Sequence, residues 1–270
     1  MTNNDKDKTV GNVVGIDRTK ILPGPNVFKI ILAGLSTGLI STAVFNPFDR
    51  ALYLMVSQKK SLFDKSLWKH PYNGVSQAIY GRIISYGINF TFYDIFKQKL
   101  QMNSFTAGLL TGTFVGFMAN PVSVVKMHNW NKRLSNHSFL KLSKDLSSMY
   151  GKTVFLRGLH LTILRDSIFS LIYYSNQTDN AYNNIAFGTL ATVSASPINY
   201  VRNCVFFDFN RKQKVIIKET LKTMKTDIVT GRYYDLVFSK FNCGWGTLRV
   251  GIGMAFSKWM YDNMVRIQTY

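Results

Sequence analysis

Residues 34–52 read GLSTGLISTAVFNPFDRAL, an apolar stretch with glycines four apart that ends in a proline, an acid and a base. Gly34 and Gly38 give a helix a flat face against which a second backbone can pack closely. Pro47 removes one backbone hydrogen bond and kinks the axis. In an exposed helix such a residue costs about 3 kcal/mol. In a membrane the freed carbonyl is re-satisfied by neighbouring helices or cavity water.

The same punctuation recurs twice more. Pro47, Pro121 and Pro197 stand 74 and 76 residues apart, late in the apolar stretches Val27–Phe48, Phe105–Val125 and Ile185–Val201. Gly38, Gly112 and Gly188 each precede their proline by nine residues, Gly108 repeats Gly34, and Asn46, Asn120 and Ser196 come directly before the prolines. A fixed period of this kind is the mark of an internal repeat. Three further helices are expected between the proline helices, over Val75–Leu100, Leu159–Gln177 and Trp245–Ile267. They carry Arg82, Arg165, Asp166 and Arg249 inside stretches of about 20 residues, the length of a membrane span. Ionisable groups within spans face a bundle interior or a water-filled cavity, so these helices should have one wet and one lipid face.

Composition agrees with this reading. The 270 residues are 46% hydrophobic with 33 basic and 14 acidic side chains, a formal charge of +19. Such an excess suits anionic lipid, nucleic acid or an anionic solute. The basic residues gather after each proline helix, as in Lys65 and Lys69, Lys141 and Lys144, and Lys212 to Lys225. The opposite connections, Gln98–Ser104 and Gln177–Asn184, carry few or none, an alternation expected of three hairpins opening to one side of a membrane. A soluble, basic, nucleic-acid-binding helical protein fits the charge but not the proline–glycine repeat, so no nucleic acid polymer is expected as partner. Cys204 and Cys243 suggest neither a disulfide framework nor a metal site. The four histidines have no metal or catalytic spacing, and no phosphate loop or nucleophile triad is visible, so neither cofactor nor enzymatic chemistry is expected.

The repeats resemble those of the mitochondrial carrier family. After each proline that family places an acid at two residues and a base at five; here the stretches read Pro47-Phe-Asp49-Arg-Ala-Leu52, Pro121-Val-Ser123-Val-Val-Lys126 and Pro197-Ile-Asn199-Tyr-Val-Arg202. Its aromatic–basic–Gly motif survives as Leu156-Arg157-Gly158 and Tyr72-Asn73-Gly74, and its aromatic–acid–x–x–basic motif as Tyr93-Asp94-Ile-Phe-Lys97 and the half-motif Tyr261-Asp262.

The resemblance implies an all-α membrane protein of six transmembrane helices, in three pseudo-symmetric repeats around a central cavity, with short helices on the matrix side. The carrier domain would cover residues 26–267, in repeats of about 26–102, 103–180 and 181–267, behind a disordered N-terminal arm, 1–25. Pro47 to Gly74 is 27 residues against 37 for Pro121 to Gly158, so the first matrix helix should be stunted.

The implied function is transport of a small charged metabolite across the mitochondrial inner membrane by alternating access, as an antiporter. Arg82, Arg165, Asp166 and Arg249 are the expected solute contacts. An Arg–acid pair favours an amino-acid-like or zwitterionic solute slightly over a nucleotide. The matrix gate would be Asp49, Ser123, Lys126 and Arg202, with Asp49 meeting Lys126. The cytosolic gate would be Asp94, Lys97 and Asp262, with Lys97 meeting Asp262. Cardiolipin or another anionic lipid is expected at Gly74 and Gly158, where even helices begin. The eroded gate motifs also admit a second reading, a carrier-fold protein that has lost transport and serves as an adaptor or scaffold.

Overall fold

The computed structural model describes residues 27–58, 62–69, 71–72, 75–132 and 138–267, all of them helix or connection. The expected arm at 1–25 and Gly74 lie outside the described residues.

Six long helices appear where apolar periodicity placed them. They are α1 (Val27–Gln58), α2 (Val75–Asp94), α3 (Ser104–Lys132), α5 (Leu159–Ser175), α6 (Ala181–Phe207) and α8 (Trp245–Ile267). Two shorter ones, α4 (Phe139–Tyr150) and α7 (Gln213–Val229), fill the long basic connections of the second and third repeats. The matching connection of the first repeat holds one 3₁₀ turn, Lys65–Trp68, as its shortness required. Each proline lies inside its helix, which runs on for two to three more turns. Two π-helical segments, Ile95–Lys99 and Asp235–Lys240, follow α2 and α7.

The long helices close a ring in the order α1, α2, α3, α5, α6, α8, back to α1. The tightest contacts are the pairs within a repeat, α1 with α2, α3 with α5, and α6 with α8. Glycine makes them so. A Cβ on Gly112 would stand 2.5 Å from the Cα of Ser167, one on Gly116 2.7 Å from that of Ile163, and one on Gly108 2.9 Å from the Ser170 carbonyl oxygen. In the third repeat Gly188 meets Gly251 in the same way, at 3.0 Å. The small-residue stripe thus brings α5 against α3 at the level of Asp166.

Polarity is arranged inside out. Thr37, Ser41 and Thr42 of α1, Thr111 and Asn120 of α3, and Thr162 and Ser170 of α5 are buried. Ile31, Leu39 and Val44 of α1 and Phe105, Leu109, Phe114, Phe117 and Met118 of α3 are exposed. The buried hydroxyls are satisfied within the bundle, by the carbonyl one turn back (Thr37 to Ala33, Thr42 to Gly38, Thr111 to Ala107) or across it (Ser41 with Ser257 at 2.8 Å). Soluble domains seldom leave an apolar surface this continuous in water. Among the described residues two helical stretches, Ile31–Leu52 and Ser104–His128, are long and apolar enough to cross a membrane. The remaining long helices are interrupted by inward charges, or, in α5, limited to 17 residues.

Candidate functional site

The proline corners set the floor of the site. Asn46 donates from Nδ2 to the Pro71 carbonyl at 3.2 Å, and Asn120 donates to those of Phe155 and Arg157 at 2.7 and 3.2 Å. Each asparagine therefore ties its kinked helix to the chain that leads into the partner helix. In the third repeat Ser196 turns back instead, to the Thr192 carbonyl at 2.7 Å. The asparagines were visible beside the prolines; their partners, 25 and 35 residues on, were not.

Past the corner, α1 presents Asp49 to the interior. Its carboxylate takes Arg82 Nη2 of α2 at 2.5 Å and Arg249 Nη2 of α8 at 2.6 Å, and the second oxygen lies in ion-pair contact with Arg249 Nε. Arg249 is 4% exposed, and its guanidinium lies over the Phe45 ring, 4.7 Å from the centroid. One acid thus joins three helices of the first and third repeats. The expected gate acid is tied directly to two of the expected solute contacts, and Lys126 shares the electrostatic surroundings of all three together with Arg202. Lys126 stays within electrostatic reach of Asp49, while the two arginines hold its oxygens directly. A guanidinium engages a carboxylate with two parallel bonds where an ammonium offers a point charge, so arginines within reach take the acid.

Across the ring Arg165 donates Nε to Asp166 Oδ1 at 2.8 Å and Nη1 to Asn199 Oδ1 of α6 at 3.4 Å. Asp166 Oδ2 is buried without a hydrogen-bond partner. The interior therefore holds Arg82, Lys126, Arg165, Arg202 and Arg249 against Asp49 and Asp166, an excess of positive charge drawn from five helices. Ser123, on α3, adds no charge.

At the end where α1 begins and α8 ends the bundle closes on aromatic rings. Phe90, Tyr93, Tyr173, Tyr174 and Tyr261 are buried together. Tyr93 stacks on Tyr174 with centroids 3.9 Å apart, and Phe90 on Tyr261 at 5.0 Å. Their polar tips are paired: Tyr174 donates to Asn89 at 3.0 Å and Tyr261 to Asp94 at 2.6 Å. Lys97 and Asp262 do not meet. Lys97 donates to Ser104 at 2.7 Å, and Asp262 takes Lys258 one turn back on its own helix. Each charge has a nearer partner on its own side of the bundle. The seal went unread because Phe90, Tyr93 and Tyr174 look, residue by residue, like ordinary span aromatics.

At the other end Arg157 clamps the second repeat to the third. It donates to the carbonyls of Val205, at 2.9 Å, of Arg211, at 2.8 Å, and of Asp208, closing the C-terminus of α6. Burial pulls this guanidinium below its ordinary pKa, against the opposing Asp208 carboxylate. Beside it a cleft of about 340 Å³ is lined by Tyr150, Thr153, Val154, Leu156, Arg157, Phe209 and Gln213. Gly158 has a positive φ of 65°, and its amide donates to Gln213 Oε1 at 3.2 Å. The N–H expected to face a lipid head group has a protein partner here.

The described residues thus form a ring of long helices with apolar side chains outside and polar and charged ones inside. The comparisons with known proteins found mitochondrial transporters. The chain is similar to the mitochondrial glycine transporter of Ovis aries, 27% identical over 194 residues, covering 61% of this chain and 61% of that protein. The Homo sapiens and Mus musculus mitochondrial glycine transporters are 27% and 26% identical, covering 57% of this chain and 59% and 55% of their own lengths. The chain thus spans about three fifths of the length of these relatives. No family model matches it. The resemblance to the mitochondrial carrier family accordingly rests on similarity to named mitochondrial transporters as well as on the repeated motifs.

Proposed function

We propose that this chain carries a small charged metabolite across the mitochondrial inner membrane, its six long helices spanning the bilayer as three repeats around a central solute site. The observation that carries the reading is the ionic cluster at the centre of the ring. Asp49 holds Arg82 and Arg249, and Arg165 holds Asp166, inside a bundle whose outer surface is apolar. Charges so placed are expensive in lipid and mark solute pathways in membrane proteins. Both signs of charge stand on offer, and Asp166 keeps one oxygen free for a donor. This favours a solute bearing a carboxylate and an ammonium over a nucleotide. Glycine is the first solute to test, because the relatives are glycine transporters. Alternating access would follow from ion pairs that exchange the solute for one another, the solute binding best in the state between two closed forms.

The test is uptake into liposomes of labelled glycine, larger amino acids, carboxylates and nucleotides. Uptake confined to one class, abolished in Arg165→Ala while the protein still melts cooperatively, is the expected result. Normal uptake by that variant would remove Arg165 from the solute site.

One observation favours the adaptor reading instead. The end where α1 begins and α8 ends is closed by buried rings, with Lys97 and Asp262 paired elsewhere. A seal of packed aromatics opens less readily than one of hydrated ion pairs. A folded protein that takes up none of these solutes would favour that reading.

A further inference from the structure

Arg202 is what the central ion pairs leave over. It sits on α6 one turn beyond Asn199, which accepts from Arg165, and it lies within electrostatic reach of both Arg165 and Asp166. Although only 7% exposed, it has two guanidinium nitrogens, Nε and Nη1, without a hydrogen-bond partner. Its third nitrogen reaches Asn203 Oδ1 at 3.5 Å, the outer limit of such a bond, and the guanidinium lies over the Phe206 ring at 5.3 Å. An aromatic face stabilises a cation modestly and leaves its donors unmet. Burying a guanidinium in this state is among the costliest arrangements a membrane bundle can hold. Among the described residues at this level of the ring, the two acids Asp49 and Asp166 are already engaged by arginines other than Arg202.

We propose that Arg202 is an anion subsite. A small carboxylate, or an inorganic anion of similar size, accepts hydrogen bonds from the unpartnered Nε and Nη1 of its guanidinium. The proposal rests on the transport reading only for the source of the anion. A transported solute would supply it as its own carboxylate; otherwise a separate ion fills the place and the solute binds next to it. In both cases the ligand chemistry is that of a compact oxyanion or halide meeting a desolvated guanidinium.

The experiment is thermal unfolding of the detergent-purified full chain in gluconate buffer at constant ionic strength, titrated with formate, chloride and phosphate. A ligand of the folded state raises the melting temperature as its site fills, so a saturating rise of about 2–4 °C is expected for at least one anion. Arg202→Gln should lose that response. It should also melt no lower than the parent protein in gluconate, because the change removes an uncompensated buried charge. Lys141→Gln, an exposed change on α4, should keep the response. The proposal is overturned if no anion gives a saturable rise in the parent protein, a result that needs no variant to fold. It is equally overturned if Arg202→Gln responds as the parent does.

Adding a transported solute assigns the source. Competition with formate makes the anion the solute's own carboxylate, and additive rises make it a separate ion; both outcomes uphold the subsite. A chain that takes up nothing yet shows the Arg202-dependent response keeps the subsite and loses the transport reading. Uptake without that response does the reverse.

Discussion

The two ends of the bundle have answered the same requirement with different chemistry. At the end where α1 begins and α8 ends, helices α2, α5 and α8 meet through Phe90, Tyr93, Tyr173, Tyr174 and Tyr261, and the charges nearby pair locally. From the centre toward the other end the helices meet through Asp49, Arg82, Arg165, Asp166 and Arg249, with Arg202 left over. Ring packing is short-ranged and needs no counter-charge, so it holds regardless of what occupies the centre. The ionic centre, by contrast, leaves Arg202 with two unpartnered nitrogens, the place the proposed anion would fill. The contrast is between a region that packing satisfies by itself and one whose charges leave a bond unmade.

The largest effect should come from the seal. Tyr174→Ala removes a fully buried ring stacked on Tyr93, and core truncations of this size cost about 3–5 kcal/mol. A drop of that order in thermal or denaturant unfolding is expected; near-neutral behaviour would mean that the rings do not hold this end together.

Next comes Asp49→Asn. It strips two arginines, one of them almost wholly buried, of their shared carboxylate. Removing one partner of a buried pair costs about 3 kcal/mol or more. Added formate should restore part of the loss, and an unchanged melting temperature would show that the centre is not held by this acid. Arg157→Gln sharpens the picture at the far end, where the guanidinium serves carbonyls of Val205, Asp208 and Arg211. A loss of about 1.5–3 kcal/mol is expected from a charged group bonding to backbone acceptors, read from unfolding, with solute affinity unchanged.

The smallest effect belongs to Asp262→Asn. Its partner Lys258 stands one turn away on the same helix, a kind of pair worth about 0.3–0.5 kcal/mol. Unfolding and uptake should both stay near the parent values. A large loss would support the expected gate role of Asp262.

Glycine spacing, proline position and apolar runs were enough to predict six long helices, their pairing within repeats and the shortened first connection, because these depend on neighbours along one helix or on chain length. Gly112 must face a backbone, whichever helix supplies it. The same local reading picked out Arg82, Arg165, Asp166 and Arg249 as charges that a bilayer would not tolerate facing outward. Which charge meets which lay beyond it. Asp49 is 33 residues from Arg82 and 200 from Arg249, and its preference for them over Lys126 depends on guanidinium geometry at one level of a closed ring. The aromatic seal is likewise assembled from residues 90, 93, 173, 174 and 261, whose stacking exists only once three helices converge. Local sequence specifies which groups must turn inward; the distances between helices then select their partners, since ion pairs and stacked rings gain their energy within a few ångströms.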